Sequence, residues 1–120
     1  MKLIEKILKK NPCYTAGRKI TVKGLMLHSV GCPQPKASVF ISNWNSASYD
    51  NACVHAFIDG NDGTVYQTLP WNHRGWHCGK GKNGSGNNYS ALIWMKHAQL
   101  QKEHTKQQLS CLQCFVKNMV

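Results

Sequence analysis

The chain has 120 residues, 42% of them hydrophobic, with 15 Lys and Arg against 5 Asp and Glu for a formal net charge of +10. That length has room for one domain with a modest core. The basic surplus favours a polyanionic partner, but the cations are scattered, pair only at Lys9-Lys10 and Arg18-Lys19, and accompany no base-reading motif, which argues against nucleic acid and leaves an anionic membrane surface or a cell wall.

The first fourteen residues, MKLIEKILKKNPCY, hold no uninterrupted apolar stretch because Glu5 and Lys6 break it. The expectation is neither a secretory signal nor a membrane span, with synthesis in a reducing cytoplasm. In that compartment the six cysteines are expected to be free thiols. Leu3, Ile4, Ile7 and Leu8 recur at helical spacing with Lys on the other face, which predicts a short amphipathic helix over residues 2–10, stopped by Asn11-Pro12.

Ile20 to His28 is rich in β-formers and almost continuously apolar from Leu25, the pattern of a buried central strand ending at a histidine. Gly31, Pro33 and Pro35 mark a loop, and residues 37–45 predict a helix with Val39, Phe40, Ile41 and Trp44 on its apolar face. Residues 53–58 predict a second strand, Asn61-Asp62-Gly63 a tight turn, and residues 64–69 the returning arm of a hairpin. From Pro70 to Asn88 the chain is rich in Gly, Asn and Trp without periodicity. A loop of this length in a small domain is functional or disordered, and Trp71, His73, Trp76 and His77 favour function.

His28 stands where α/β sheets gather their ligands, beyond the carboxyl end of a strand, and a neutral imidazole there is a good zinc donor. Alone, it reads more readily as a satisfied core histidine than as a ligand. His55 alternates with Cys53 and Phe57 along its strand, so it is a second metal ligand, a donor to a developing oxyanion, or a half-buried strand residue. Trp76 and His77, flanked by Gly75 and Gly79, suit a groove that offers an indole face to a sugar or peptide, or simple packing.

Taken together, GLMLHSVG, NWN, VHAFIDGNDGTVYQTLPWNHRGWHCG and GSGNN resemble the type-2 N-acetylmuramoyl-L-alanine amidases, the family that includes phage endolysins, bacterial autolysins and peptidoglycan-recognition proteins. The resemblance implies an α/β fold, a mixed central β-sheet flanked by helices. It also implies one catalytic zinc ion and hydrolysis of the peptidoglycan amide between N-acetylmuramic acid and L-alanine. His28 then corresponds to the first zinc ligand, and His55 falls where the family places a catalytic residue near the metal. Trp76, His77 and Asn88 correspond to substrate-groove positions. A monomer without an integral membrane segment follows, reaching the wall after release from the cell or by non-classical export.

The chain also departs from that pattern. The family places a carboxylate on a strand of the form I-G-x-E after the Asn pair, whereas Asn87-Asn88 is followed here by YSALIWMKHAQ. Its second zinc histidine and its Asp or Cys ligand come from further downstream, and no matching pair follows before Val120. The sequence therefore divides into residues 1–89, the N-terminal part of an amidase domain incomplete at its C-terminus, and residues 90–120, an atypical helical tail. That tail is rich in Lys and Gln and carries His97, His104, Cys111 and Cys114. Read one frame over, Gln101 to Val120 permits K-R-T-Y-Q-T-A-V-E-L-F-A-M-L-C-K-E-Y-G, an amphipathic helix ending in Tyr-Gly that resembles the helix before the family's second zinc histidine. A frameshift between about Asn88 and Lys102 is the expectation. Three descriptions compete: an amidase impaired in this short chain, a non-catalytic peptidoglycan-binding module, and an inactive gene fragment. The last would lack the sheet's later strand and expose apolar edges.

Overall fold

The computed structural model describes residues 2–29, 36–82 and 84–95. In chain order these form β1 (Leu3–Glu5), α1 (Pro12–Ala16), β2 (Gly24–Ser29), α2 (Ala37–Trp44), β3 (Ala56–Ile58), β4 (Val65–Gln67), β5 (Lys80–Gly81), β6 (Gly84–Ser85), a 3-10 turn (Gly86–Asn88) and β7 (Ser90–Met95). Five strands make one mixed sheet in the order β1-β4-β3-β7-β2, in which only β3 and β4 run antiparallel. The expected mixed sheet with helices is present. Among the described residues no helix is long and apolar enough to cross a membrane.

The β3–β4 hairpin is the part most directly written in local sequence. Gly63 takes a φ of 74°, and the Asp62 carboxylate accepts the Thr64 N–H at 2.9 Å. Both favour a tight reversal, because glycine enters the left-handed region without a Cβ clash. Alternation along β3 then sorts the core. Ala56 and Ile58 pack with Val22, Val65, Trp71, Ala91 and Ile93, while Phe57 packs with Leu8, Ala37, Val54 and Trp44. Phe57 stacks on Phe40 at 5.3 Å and meets Trp44 edge-on at 5.1 Å, which fastens α2 to the sheet. The hairpin also caps that helix: Lys36 supplies no side-chain cap, and the Asp59 carboxylate accepts the Ala37 N–H at 2.9 Å instead.

Several sequence expectations change. Residues 2–10 are not a helix; β1 pairs parallel with β4, and Lys6 and Leu8 continue the pairing by donating to the carbonyls of Gln67 and Thr68 at 2.7 and 2.9 Å. A nine-residue helix is marginal alone, and an open sheet edge offers the same backbone groups better partners. The cysteines are not all free: Cys13 on α1 is bonded to Cys53, with Cα atoms 6.5 Å apart, while Cys78 is a free thiol. β2 is the edge strand of the described sheet, with no buried residue along it, whereas its apolar run predicts a central one. Apolar character reports a preference for burial and not which neighbour arrives. Residues 90–95, assigned by sequence to a helical tail, form β7 and lie between β3 and β2. The strand that follows the Asn pair is therefore in place. The remainder of the tail, with its frameshift reading and its cysteine pair, lies outside the described residues, as does the loop at Gly31, Pro33 and Pro35.

Candidate functional site

His28 lies one residue before the end of β2, half-buried, its Cα in register with Trp94 of β7. A strand fixes its Cα against a hydrogen-bonded neighbour, so the ring is presented from a rigid base. Across from it stands His77, with ring centroids 5.8 Å apart and planes 87° from parallel. Two motif pieces far apart in sequence therefore meet at one place.

The loop carrying His77 is laid down in steps. Ile20 donates to Asn72 O and Arg74 donates to Arg18 O, both at 2.8 Å, so residues 18–20 guide its entry. Trp76 and Cys53 then exchange both backbone hydrogen bonds, at 2.8 and 3.0 Å. Extended backbone sends successive side chains to opposite sides, and the Trp76-His77 pair separates accordingly. Trp76 is 49% exposed, whereas both ring nitrogens of His77 are shut off from solvent. The indole borders two open clefts of about 310 Å³ each, one reaching Pro12, Arg18 and Arg74, the other Asn51 and His77.

Beyond His77 the loop is held mainly by one side chain. Asn87, buried in the 3-10 turn, accepts the His77 and Cys78 N–H groups on Oδ1 at 2.9 and 3.1 Å, and donates Nδ2 to Cys78 O at 2.8 Å. Asn88, the member of the pair expected at the substrate, is exposed and accepts from Arg74 Nε at 2.9 Å. Sequence reasoning named Asn88 and missed Asn87. The double Asn was the available signal, but only the fold decides which amide turns inward.

His55, expected to be catalytic, is 0% exposed. Its Nε2 donates to the His73 carbonyl at 2.7 Å, and its ring stacks on Trp71 at 6.1 Å and 7°. The bond fixes the proton on Nε2, and no atom of the side chain faces solvent. Burial is the main cause pushing its pKa from 6.5 to about 4, with the His73 backbone bond opposing weakly. His77 is likewise pushed down to about 4, first by burial and then by electrostatic interaction with His55 and His28, while a backbone hydrogen bond at Ser90 pulls the other way. Both rings are neutral at pH 7. Between them sits Gly75: a Cβ there would come 3.1 Å from Cys53 O, 3.2 Å from His55 Cε1 and 3.2 Å from His77 Cδ2. No larger residue fits without moving one ring or the backbone.

A metal at this place would find the His28 imidazole, presented from the end of β2, with the His77 ring beside it. Among the described residues no cluster of three or more His, Cys, Asp or Glu forms around them.

A family model described as N-acetylmuramoyl-L-alanine amidase matches residues 17–120. Among solved structures, the catalytic domain of XlyA is similar at a TM-score of 0.63 and 26% identity, over 78% of this chain and 60% of that one. A mutant endolysin from Bacillus subtilis is similar at 0.62 and 27%, over 80% and 61%. PlyL, at 0.65 and 21% over 86% and 62%, shares the fold. The chain thus spans less than two thirds of each of these structures. No curated protein matches it significantly.

Proposed function

The chain belongs to the N-acetylmuramoyl-L-alanine amidase family, and from that premise we propose that it acts on peptidoglycan, hydrolysing the amide between N-acetylmuramic acid and L-alanine with zinc as cofactor. The observation that carries the reading is the meeting of His28, from the end of β2, with the Trp76-His77 loop. Bound zinc supplies Lewis-acid polarisation of the scissile carbonyl, and His28 is the residue held in position to ligate it.

The remaining work falls to the chain's own groups. The exposed Trp76 offers a flat apolar face to a sugar ring or stem peptide. Arg18 and Arg74, in the cleft beside it, attract carboxylates of the wall. Arg74 is steadied for this by Asn88. His55 serves as a positioning residue: neutral and buried, it holds the loop backbone at His73 and keeps the ring of His77 in place across Gly75.

The purified chain incubated with peptidoglycan and zinc should release peptides with new L-alanine N-termini, and a chelator should stop the release. Turnover is expected to be low, because a hydrolytic zinc site uses three protein ligands and the described residues bring together two histidines. One observation favours a second reading, a wall-binding module without turnover: β7, the strand after the Asn pair, reads SALIWM and carries no carboxylate. Wall binding that ignores chelation, with no L-alanine released at any zinc concentration, would establish that reading over the first.

A further inference from the structure

We propose that the cleft between α1 and Trp76 is a phosphodiester-binding subsite, in which Arg18 and Arg74 hold one phosphate of a polyol-phosphate wall polymer. The inference rests on the wall-acting reading and adds to it a second wall ligand, bound apart from the amide.

Charge placement gives the first argument. Lys19 and His73 pair as an antiparallel bridge, and Arg74 N donates to Arg18 O at 2.8 Å. Arg18 and Arg74 therefore stand opposite one another on adjacent extended segments, and both line a cleft of about 310 Å³. Like charges placed opposite each other destabilise a strand pair. Among the described residues no Asp or Glu lines the cleft to offset them. The chain has 5 Asp and Glu in all, and Asp59 and Asp62 are committed to backbone N–H groups at α2 and at the β3–β4 turn. An anion from outside supplies what the fold leaves out.

Shape gives the second. The two oxygens of a carboxylate are coplanar and suit a single guanidinium fork, whereas a phosphodiester presents two oxygens that diverge tetrahedrally, one for each of two facing guanidiniums. Asn88 accepts from Arg74 Nε at 2.9 Å and so fixes the direction of that fork. The third argument is the walls. Pro12, Cys13 and Ala16 line one side and the exposed indole of Trp76 the other. Cys53 holds both, bonded to Cys13 and exchanging two backbone hydrogen bonds with Trp76. Such walls suit the carbon chain between phosphates, and a narrow cleft admits a flexible polymer better than the flat headgroup layer of a bilayer. The other cleft beside the indole reaches His77, the neighbour of His28, so the two clefts divide the phosphate from the amide.

The test titrates the full chain, without zinc, with soluble poly(glycerol phosphate). The Arg74 Nε–H and Trp76 indole resonances should shift to saturation, with affinity falling as salt rises. Arg18→Gln and Arg74→Lys should each weaken binding by ~10-fold or more, the second because an ammonium lacks the fork. Lys6→Gln, which removes one exposed charge beside β1, should change it less than ~2-fold. Equal losses from Lys6→Gln and Arg18→Gln would reduce the attraction to net charge and overturn the proposal. Equally tight binding of poly-glutamate overturns it as well, and so does tighter binding to phosphatidylglycerol vesicles than to the polymer. Unmoved Arg74 and Trp76 resonances overturn it without any variant, so a misfolded variant cannot shield it. The amidase reading is tested separately: a chain that releases L-alanine peptides from peptidoglycan but ignores poly(glycerol phosphate) removes this inference alone.

Discussion

The β3–β4 hairpin and the loop after it lie side by side and are held by opposite kinds of bond. The hairpin uses backbone pairing, with Asp59 and Thr64 closing its end, and it buries every residue of β3. The loop from Gly75 to Asn88 has little regular pairing and depends on one amide side chain, one backbone exchange with Cys53 and a glycine with no spare room. His55 belongs to the first regime and His77 to the second. The contrast teaches that burial alone does not define a structural histidine. His55 is fixed through its own ring nitrogen by a carbonyl, whereas His77 is fixed through its backbone by Asn87.

The largest expected effect would break the hairpin side. Phe57 is nearly inaccessible and touches Phe40 and Trp44, so Phe57→Ala should cost about 3–5 kcal/mol in urea unfolding. A loss below ~1 kcal/mol would show that the two regimes do not differ as described. Next comes the tie between the regions: reducing the Cys13–Cys53 bond, which spans 40 residues, should lower stability by about 2–4 kcal/mol. Amide exchange at Trp76 should stay slow if its two backbone bonds to Cys53 suffice without the disulfide.

Acid should discriminate further. His55 takes up its proton near 6.5 when unfolded and near 4 when folded, so between those values the unfolded chain binds more protons. The stability it contributes is complete above pH 6.5, declines as pH falls toward about 4, and declines no further below it. The full change is on the order of 3 kcal/mol. Denaturant midpoints from pH 7 to 4 should fall at least this steeply, because His77, also held near 4, adds a loss of the same sign, and His55→Gln should remove only the His55 share; a wild-type midpoint constant over that window would contradict the buried, neutral ring. The finest distinction lies within the Asn pair. Asn87→Ala should cost about 2 kcal/mol and free the loop, while Asn88→Ala, exposed and with a single partner, should cost less than ~0.5 kcal/mol. Equal losses would mean that the clamp is shared.

Legibility followed the range of the interaction. The tight turn at Asn61-Asp62-Gly63, α2 and the strand ending at His28 were readable because each depends on neighbours within a few residues. The N-terminal segment was misread because helical spacing and strand pairing compete there, and the open edge of β4 wins. The cysteines were misread because the disulfide joins residues 40 apart, a separation carrying no local pattern. The Trp76-His77 pair could be recognised as a motif but not divided into its exposed and half-buried members.

Sequence by itself determined the chemistry available: a histidine at a strand end, a Trp-His loop, a paired Asn and a strong turn, all in the order of one amidase family. Tertiary structure decided how that chemistry is used. It turned Asn87 inward and Asn88 outward, gave His55 a carbonyl partner, and brought the ring of His77 edge-on to His28. The reason is that composition and spacing fix which groups a chain carries, whereas desolvation and partner geometry arise only when segments far apart in sequence are packed against one another.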